Sequence, residues 1–300
     1  MIQYHKNGFG AYFVMMKVCK MIVCALGAVI AGSTFTSCNN NNSVTQNKDS
    51  ATISLTGNSS YSKYVTDTGE YGDFIYEKGQ DYIAISQYTG TDRDVIVPET
   101  IENLKVTTIK SRCFENSDNT DIINSVTLPS SINNVSSLAF YNSRYLETIT
   151  CENNSYYVSE NGILYTADMA DLVAYPENKS DTEYTVPDSV TKINNNAFSF
   201  CNNLNKVTLS ANLETIPDYT FAYNSTVVEV IVPANVKEIG FAAFYRCSAL
   251  KKITLPESVS DINNNAVVFC NSLQSIECYG NNNVVKNYAE SLGVQYTIFE

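Results

Sequence analysis

Tryptophan is absent from this sequence, and its one histidine, His5, lies in a leading segment whose composition marks it for removal. A processed chain without imidazole has no Ser-His-Asp or Cys-His pair, no HExxH zinc helix and no histidine-containing iron triad. No GxxxxGK[ST] loop and no GxGxxG strand-turn-helix is present to cradle a phosphate. The nine cysteines include no CxxC pair, which removes a zinc ribbon. Positive charge is scarce as well: 19 Lys+Arg face 31 Asp+Glu, a formal charge of -12, and such a surface is a poor partner for nucleic acid or anionic headgroups. The expectation is a chain with no catalytic residues, no metal ligands and no cofactor; composition does not strike out a carboxylate acid and base, but Glu183, Glu229 and Glu277 are scattered over outward strand positions, which leaves an acid/base hydrolase the least favoured alternative.

Long apolar runs are equally rare. The one that exists follows Met15, where MMKVCKMIVCALGAVIAGSTFTSC sets Lys17 and Lys20 before an apolar stretch at 21–30 and small residues up to Cys38, the three-part pattern of a secretory signal. A run of about 10 to 12 apolar residues falls well short of the roughly 20 that span a bilayer. Residues 1–37 are thus expected to be cleaved, with the true start at Met15 or Met16. Thr34-Phe35-Thr36-Ser37-Cys38 resembles a bacterial lipoprotein box with Phe35 in the place of the usual Leu, and the asparagine tether at 39–42 favours lipid attachment at Cys38. Cleavage removes Lys6, Lys17 and Lys20 and no acid, so 16 cations against 31 anions leave -15. Residues 38–70 are rich in Asn, Ser, Thr and Gly, bury too little apolar surface to offset ordering, and are expected to form a flexible stalk.

The remainder repeats. Aligned on the residue that closes an alternating segment, the chain reads Val126-Thr-Leu-Pro129, Tyr184-Thr-Val-Pro187, Val207-Thr-Leu-Ser210, Val230-Ile-Val-Pro233, Ile253-Thr-Leu-Pro256 and Ile276-Glu-Cys-Tyr279, with a constant step of 23 from Pro187 to Tyr279. Eleven residues past each anchor stand Phe140, Phe198, Phe221, Phe244 and Val267, and seventeen past stand Leu146, Leu204, Val227, Leu250 and Leu273. Spacing and side-chain size repeat together, so each unit is one coil of a solenoid and the phenylalanines form a spine. Alternation puts Val207 and Leu209 inward and Thr208 outward, and each proline ends its strand by fixing φ and deleting a donor. Cys201, Cys247 and Cys270 share one column with Asn224 and Ser143, and Cys151 and Cys278 take inward strand positions. Buried thiols are expected there, with a Cys247 to Cys270 disulfide as the alternative.

The pattern VTLPxxVxxIxxxAFxxCxxLxx, as at 230–252 and 253–275, resembles the BspA-like class of bacterial leucine-rich repeats over residues 71–300. The resemblance implies a leucine-rich-repeat solenoid, a β-dominated α/β right-handed superhelix of about seven coils, with adhesion or protein binding as its work. Ser210 replaces a usual Pro and Val267 a usual Phe, so looser coils are expected there. The solenoid is expected over 71–279 with a hairpin leaving the coil at about 153–183. A β cap from the Phe74 and Tyr82 segments should cover the front, and a helix stopped at Gly293 plus a last strand at 280–300 the back.

The outward column Thr127, Thr150, Thr185, Thr208, Ile231, Thr254 and Glu277 is the candidate binding surface, with Ile231 its one apolar interruption. Tyr165 and Tyr175 of the insertion are expected to add exposed aromatic area. A protein ligand on a host or neighbouring cell is the leading partner, glycan capture by the insertion tyrosines or a structural role the alternative. The membrane is reached only through the lipid, at the cell envelope, on the outer membrane and facing outward.

Overall fold

The computed structural model describes residues 65, 67–115 and 123–299, all in the unit Asn58–Glu300. The signal segment, Cys38 and the expected stalk up to residue 64 lie outside the described residues. The end of that expected stalk is ordered: Asp67–Tyr71 is a strand, antiparallel to Phe74–Lys78 across a two-residue turn in which Gly72 takes φ 54. Its sequence, DTGEY, carries no apolar alternation, which is why composition alone assigns it to the stalk.

The described chain is a β-solenoid of about nine turns, more than the seven or so counted from the anchors. The difference lies at the ends, where cap elements continue the stack. Tyr82–Tyr88 pairs in parallel with Leu104–Ile109, and Gln295–Phe299 in parallel with Ser275–Tyr279. Each regular coil has a main-face strand, a two-residue strand on a second side, and tight turns on a third. On the main face Ser125–Leu128 pairs with Thr148–Cys151, and Glu229–Ile231, Lys252–Leu255 and Ser275–Tyr279 follow in parallel. Val230, Ile253 and Ile276 are direct partners, so equal columns stack in register as the 23-residue step requires. On the second side Ile216, Ile239 and Ile262 do the same.

Inside, the apolar columns form two cores rather than one. The front core runs from Phe74 to Cys151 and the rear core from Val186 to Ala289. The phenylalanine spine is split accordingly. Phe114 and Phe140 stack at 5.3 Å in front; behind, Tyr175, Phe198, Phe221 and Phe244 follow at 5.3, 5.3 and 5.6 Å. Tyr175 stands 23 residues before Phe198 and heads that column.

The insertion separates the two cores. Its strands Tyr157–Glu160, Ile163–Thr166 and Asp171–Ala174 form a meander whose last strand pairs with Lys192–Ile193. Leu164 and Val173 face the front core while Ile163, Tyr165 and Leu172 face the rear one. Instead of leaving the coil, the hairpin is thus a wall buried on both faces, and its unalternating runs Ile163-Leu164-Tyr165 and Leu172-Val173 are what such a wall demands. Its turn docks on the preceding strand: Ile149 N–H donates to Gly162 O at 2.9 Å. Gly162 has φ 80, and a Cβ there would sit 3.2 Å from Thr148 Cγ2, so this turn needs glycine twice over.

One staggered seam crosses the rear stack. Lys206–Thr208 pairs with Glu183–Thr185 before it, but among the described residues no ladder joins it to Glu229–Ile231 after it. On the second side the break falls one coil earlier, between Lys192–Ile193 and Thr215–Ile216. Asn194, Gly240 and Asn263 each donate a backbone N–H to the preceding coil, at Leu172, Ile216 and Ile239. The equivalent residue at the seam is Pro217, which has no N–H to give. Side chains also link the two coils: the Asn224 amide donates to Phe198 O (2.9 Å), Thr226 Oγ1 to Leu204 O (2.7 Å) and Asn212 Nδ2 to Asp188 O (2.7 Å).

The rear cap follows its sequence. In the helix Asn283–Leu292 the buried face is Val285, Tyr288 and Ala289, and Gly293 ends it at φ 69. Asn282 caps it by accepting from Val284 N and Val285 N, while its amide donates to Glu257 O (2.9 Å) and Val259 O (2.7 Å), fastening the helix to the last coils.

Candidate functional site

Alternation sends every second main-face residue outward, and the expected column is present but in pieces. Thr127 and Thr150 are adjacent, Thr150 Oγ1 donating to Thr127 Oγ1 at 2.9 Å. Ile96, the partner of Thr127 on the other side, is 72% exposed and extends the column forward. The insertion then interrupts it. Thr185 and Thr208 follow as an exposed pair, and beyond the seam come Ile231, Thr254 and Glu277. Ile231 is 53% exposed. Thr254 is corrected by the structure: it is only 3% exposed, lying between Ile231 and Glu277 and donating to Glu277 Oε2 at 3.2 Å.

Charge on this face is tied up locally. Lys252 Nζ meets Glu229 Oε1 at 2.5 Å and Glu277 Oε2 at 3.3 Å, and the bond to Glu229 leads in holding its ammonium above the usual lysine range. Next to it, a shallow trough of about 680 Å³ opens between Ile231, Pro233, Pro256, Glu257 and Tyr279. Tyr279 is exposed and in ring contact with Phe299 at 6.0 Å. The prolines that end successive strands thus form one wall of an apolar niche at the rear of the main face.

Tyr165 and Tyr175 are corrected as surface residues. They are 1% and 4% exposed, because the wall between the cores buries both. The Tyr165 and Tyr184 hydroxyls bond to each other, and Tyr175 Oη donates to Asp181 Oδ2 at 3.1 Å. Burial, then the Asp181 charge, raises the Tyr175 phenol; burial, then the bond to Tyr165, raises that of Tyr184. Only Tyr156 of the insertion is broadly exposed, since Tyr157 Oη accepts from Val135 N at 3.0 Å.

The six described cysteines are free and buried. The column that Cys201, Cys247 and Cys270 share with Ser143 and Asn224 has a chemical pattern. Four members donate to the carbonyl of the aromatic one coil earlier, Ser143 Oγ to Phe114 O (2.9 Å), Asn224 Nδ2 to Phe198 O (2.9 Å), Cys247 Sγ to Phe221 O (3.0 Å) and Cys270 Sγ to Phe244 O (2.9 Å), whereas Cys201 Sγ is nearer Ser199 O (3.6 Å) than Tyr175 O (4.0 Å). A small donor suits the position, adding a bond to a buried carbonyl; Phe221 O and Phe244 O also accept the N–H groups of Asn224 (3.4 Å) and Cys247 (3.1 Å). The bond with Cys270 and burial hold the Cys247 thiol above its usual range, in the protonated form that can donate. Among the described residues no group of three or more His, Cys, Asp and Glu is placed to hold a metal, and no helix is long and apolar enough to cross a membrane.

A second surface escaped the reading of the sequence. On the third side Tyr141, Phe200, Tyr223, Tyr245 and Phe269 touch ring to ring at 5.4, 4.3, 5.2 and 5.5 Å. Arg112 lies 4.8 Å over Tyr141, and Arg246 lies 5.9, 5.5 and 5.4 Å from the centroids of Tyr223, Tyr245 and Phe269. The signal was present: Phe200, Tyr223, Arg246 and Phe269 are 23 residues apart, thirteen past each anchor.

Comparison with known proteins agrees with this architecture. The BspA type leucine rich repeat region matches in six copies over residues 99–178 and 173–291. A leucine-rich repeat protein from Eubacterium ventriosum is 18% identical with a TM-score of 0.55, the match covering 76% of this chain and 83% of that one. A leucine rich cell surface protein from Faecalibacterium prausnitzii is 15% identical over 75% of this chain and 98% of its own, at a TM-score of 0.46. The leucine rich repeat protein of T. pallidum is 22% identical over 77% and 98%, at 0.38. No curated protein matches the sequence. With its coils, columns and six matched copies, the chain belongs to the BspA-type leucine-rich-repeat family.

Proposed function

We propose that the processed chain is a non-enzymatic, surface-anchored module that binds a protein on a host or neighbouring cell through the rear half of its main face. The observation that carries this reading is the niche at Ile231. A branched apolar side chain more than half exposed, beside two prolines and a tyrosine, is the kind of anchor on which protein interfaces centre. The threonine pair Thr185 and Thr208 and the Glu229–Lys252–Glu277 ion pairs supply the polar rim that such an interface needs. The shallow niche on an open sheet suits a macromolecule better than a small substrate.

Attachment is through lipid on Cys38 after cleavage of residues 1–37, placing the solenoid on the outer membrane facing outward. Glycan capture by the insertion tyrosines loses its support with Tyr165 and Tyr175 buried. In the test, intact cells carrying the chain are challenged with candidate host-surface proteins. Ile231→Asp and Thr208→Lys should abolish capture, while Tyr156→Ala leaves it intact. Capture that survives both main-face changes refutes this assignment, and Cys38→Ser protein that stays in the membrane fraction refutes the lipid anchor.

A further inference from the structure

We propose that the last strand, Gln295–Phe299, is a docking edge for a second copy of this chain, paired antiparallel about a two-fold axis at Thr297. The strand is the outer member of the rear main-face sheet. All five of its residues pair in parallel with Ser275–Tyr279 without a register shift, and among the described residues no strand lies on its other side. Gln295 N–H donates to Gln274 O (3.0 Å) and Gly280 N–H to Phe299 O (2.9 Å), so residues 295, 297 and 299 are the ones bonded into the stack. Alternation turns the N–H and C=O groups of Tyr296 and Ile298 the other way, toward the open edge. Edges of this kind are normally blunted by brevity, charge, proline or a bulge. The front of the molecule follows that rule: Asp67–Tyr71, outermost in the front cap sheet, carries Asp67 and Glu70, and Asp94–Ile96, outermost on the front main face, has three residues and begins with Asp94. Gln295–Phe299 has neither charge nor proline. Its Ile298 pairs with the enclosed Cys278 and is still 47% exposed, so the last rung of the core is uncovered there.

The order of residues in the strand selects its own copy. With Thr297 opposite Thr297, the outward groups of Tyr296 face those of the copy's Ile298, and each such pair exchanges both of its backbone bonds. The side chains then meet as Tyr296 against Ile298 and Thr297 against Thr297, aromatic–β-branched and threonine pairs of the kind that stabilise antiparallel ladders. A shift by one residue sets groups already bonded into the stack opposite open ones, and a shift by two carries one of the pairs beyond the strand. Charge points the same way. A chain with a formal charge of -12 repels its own copy over most of its surface, whereas at this uncharged strand no like charges are brought together. The axis stands perpendicular to the sheet, so the assembly closes at two copies, the two rear sheets become one, and both main faces look the same way. One strand pair covers much less than the roughly 1,200 Å² of a standard interface, so the dimer is weak and depends on concentration.

The test is sedimentation velocity of the full chain from micromolar to millimolar concentration, which should show a reversible equilibrium between one copy and two. Thr297→Lys sets two ammonium groups face to face at the axis, and Ile298→Pro deletes an outward N–H without removing a bond to Ser275–Tyr279. Each should weaken dimerisation by about tenfold or more. A mixture of Thr297→Lys with Thr297→Glu should form the dimer again, a rescue specific to this register because position 297 meets only itself. Where Glu277, the neighbour of Thr297 in the sheet, destabilises Thr297→Glu, the loss of dimer in Thr297→Lys and Ile298→Pro at unaltered melting temperature decides. Ile231→Asp should leave the equilibrium unchanged, which separates this edge from the main-face reading. A single copy at every concentration, a dimer that survives both substitutions, no rescue by a folded Thr297→Glu partner, or growth beyond two copies would each overturn the proposal.

Discussion

Phe221 sits between Phe198 and Phe244, at 5.3 and 5.6 Å and within 8° and 1° of parallel, and is fully enclosed. Truncation to alanine removes its ring from water-free surroundings and deletes two stacked pairs. Large-to-small changes of this kind cost about 3–5 kcal/mol, and each aromatic pair accounts for about 0.5–1.5 kcal/mol beyond burial, which places Phe221→Ala near the upper end. Because each coil meets only its neighbours and the wall of the insertion closes off the front core, the loss should stay in the rear stack. Amide exchange followed in moderate urea reads this directly. The amides of Phe198 and Phe244, bonded to Thr220 O and Ala266 O, should lose protection by orders of magnitude, while those of Val126 and Ile149 in front hold theirs. Equal deprotection of both cores, or a cost below about 1 kcal/mol, would refute the division of the solenoid into two stacks.

Two further outcomes are expected. Gly162→Ala forces a Cβ to 3.2 Å from Thr148 Cγ2 at φ 80 and should lower stability by about 1–2 kcal/mol in thermal melts; an unchanged melting curve would mean the hairpin turn is not docked on Thr148–Cys151. In alkali, burial pushes the Tyr288 phenol up to about 12, and burial foremost also raises those of Tyr141, Tyr175 and Tyr184. An unfolded tyrosine titrates near 10, so the stability these groups contribute is complete below that pH and is lost as pH rises toward the folded values. Phenolate absorbance should therefore appear in two stages, exposed tyrosines first and these four only with unfolding; a single stage near pH 10 without loss of structure would contradict their burial.

The coil was legible in the sequence because stacking converts a linear period into aligned columns: the phenylalanines, the inward valines and isoleucines, and the donor column of Ser143, Asn224 and the cysteines all follow from it. The length of the insertion points to an excursion, whereas its strands are buried between the two cores. Its apolar runs Ile163-Leu164-Tyr165 and Leu172-Val173 carry no alternation, the mark of a strand buried on both faces, and Tyr175 stood in phase with Phe198. Ile96 extends the outward column one strand forward of Thr127, across a gap that is longer than the regular step and hides the phase. Alternation points Thr254 outward but gives a direction and not the size of its neighbours, and Ile231 and Glu277 cover it. The row at Phe200, Tyr223 and Phe269 repeats with the same step but points outward, where apolar columns are not sought.

The seam at Pro217 has a mechanical consequence. Two successive coil contacts each lack one backbone ladder, the first on the second side and the next on the main face, so resistance to bending is lower there than in the coils before and after, and flexure gathers over this pair of contacts. Thr208 and Ile231 stand on the two lips of the main-face break. A body gripping both would feel the separation between them widen or narrow as the rod flexes, which makes the contact strip a surface of adjustable pitch rather than a fixed ruler.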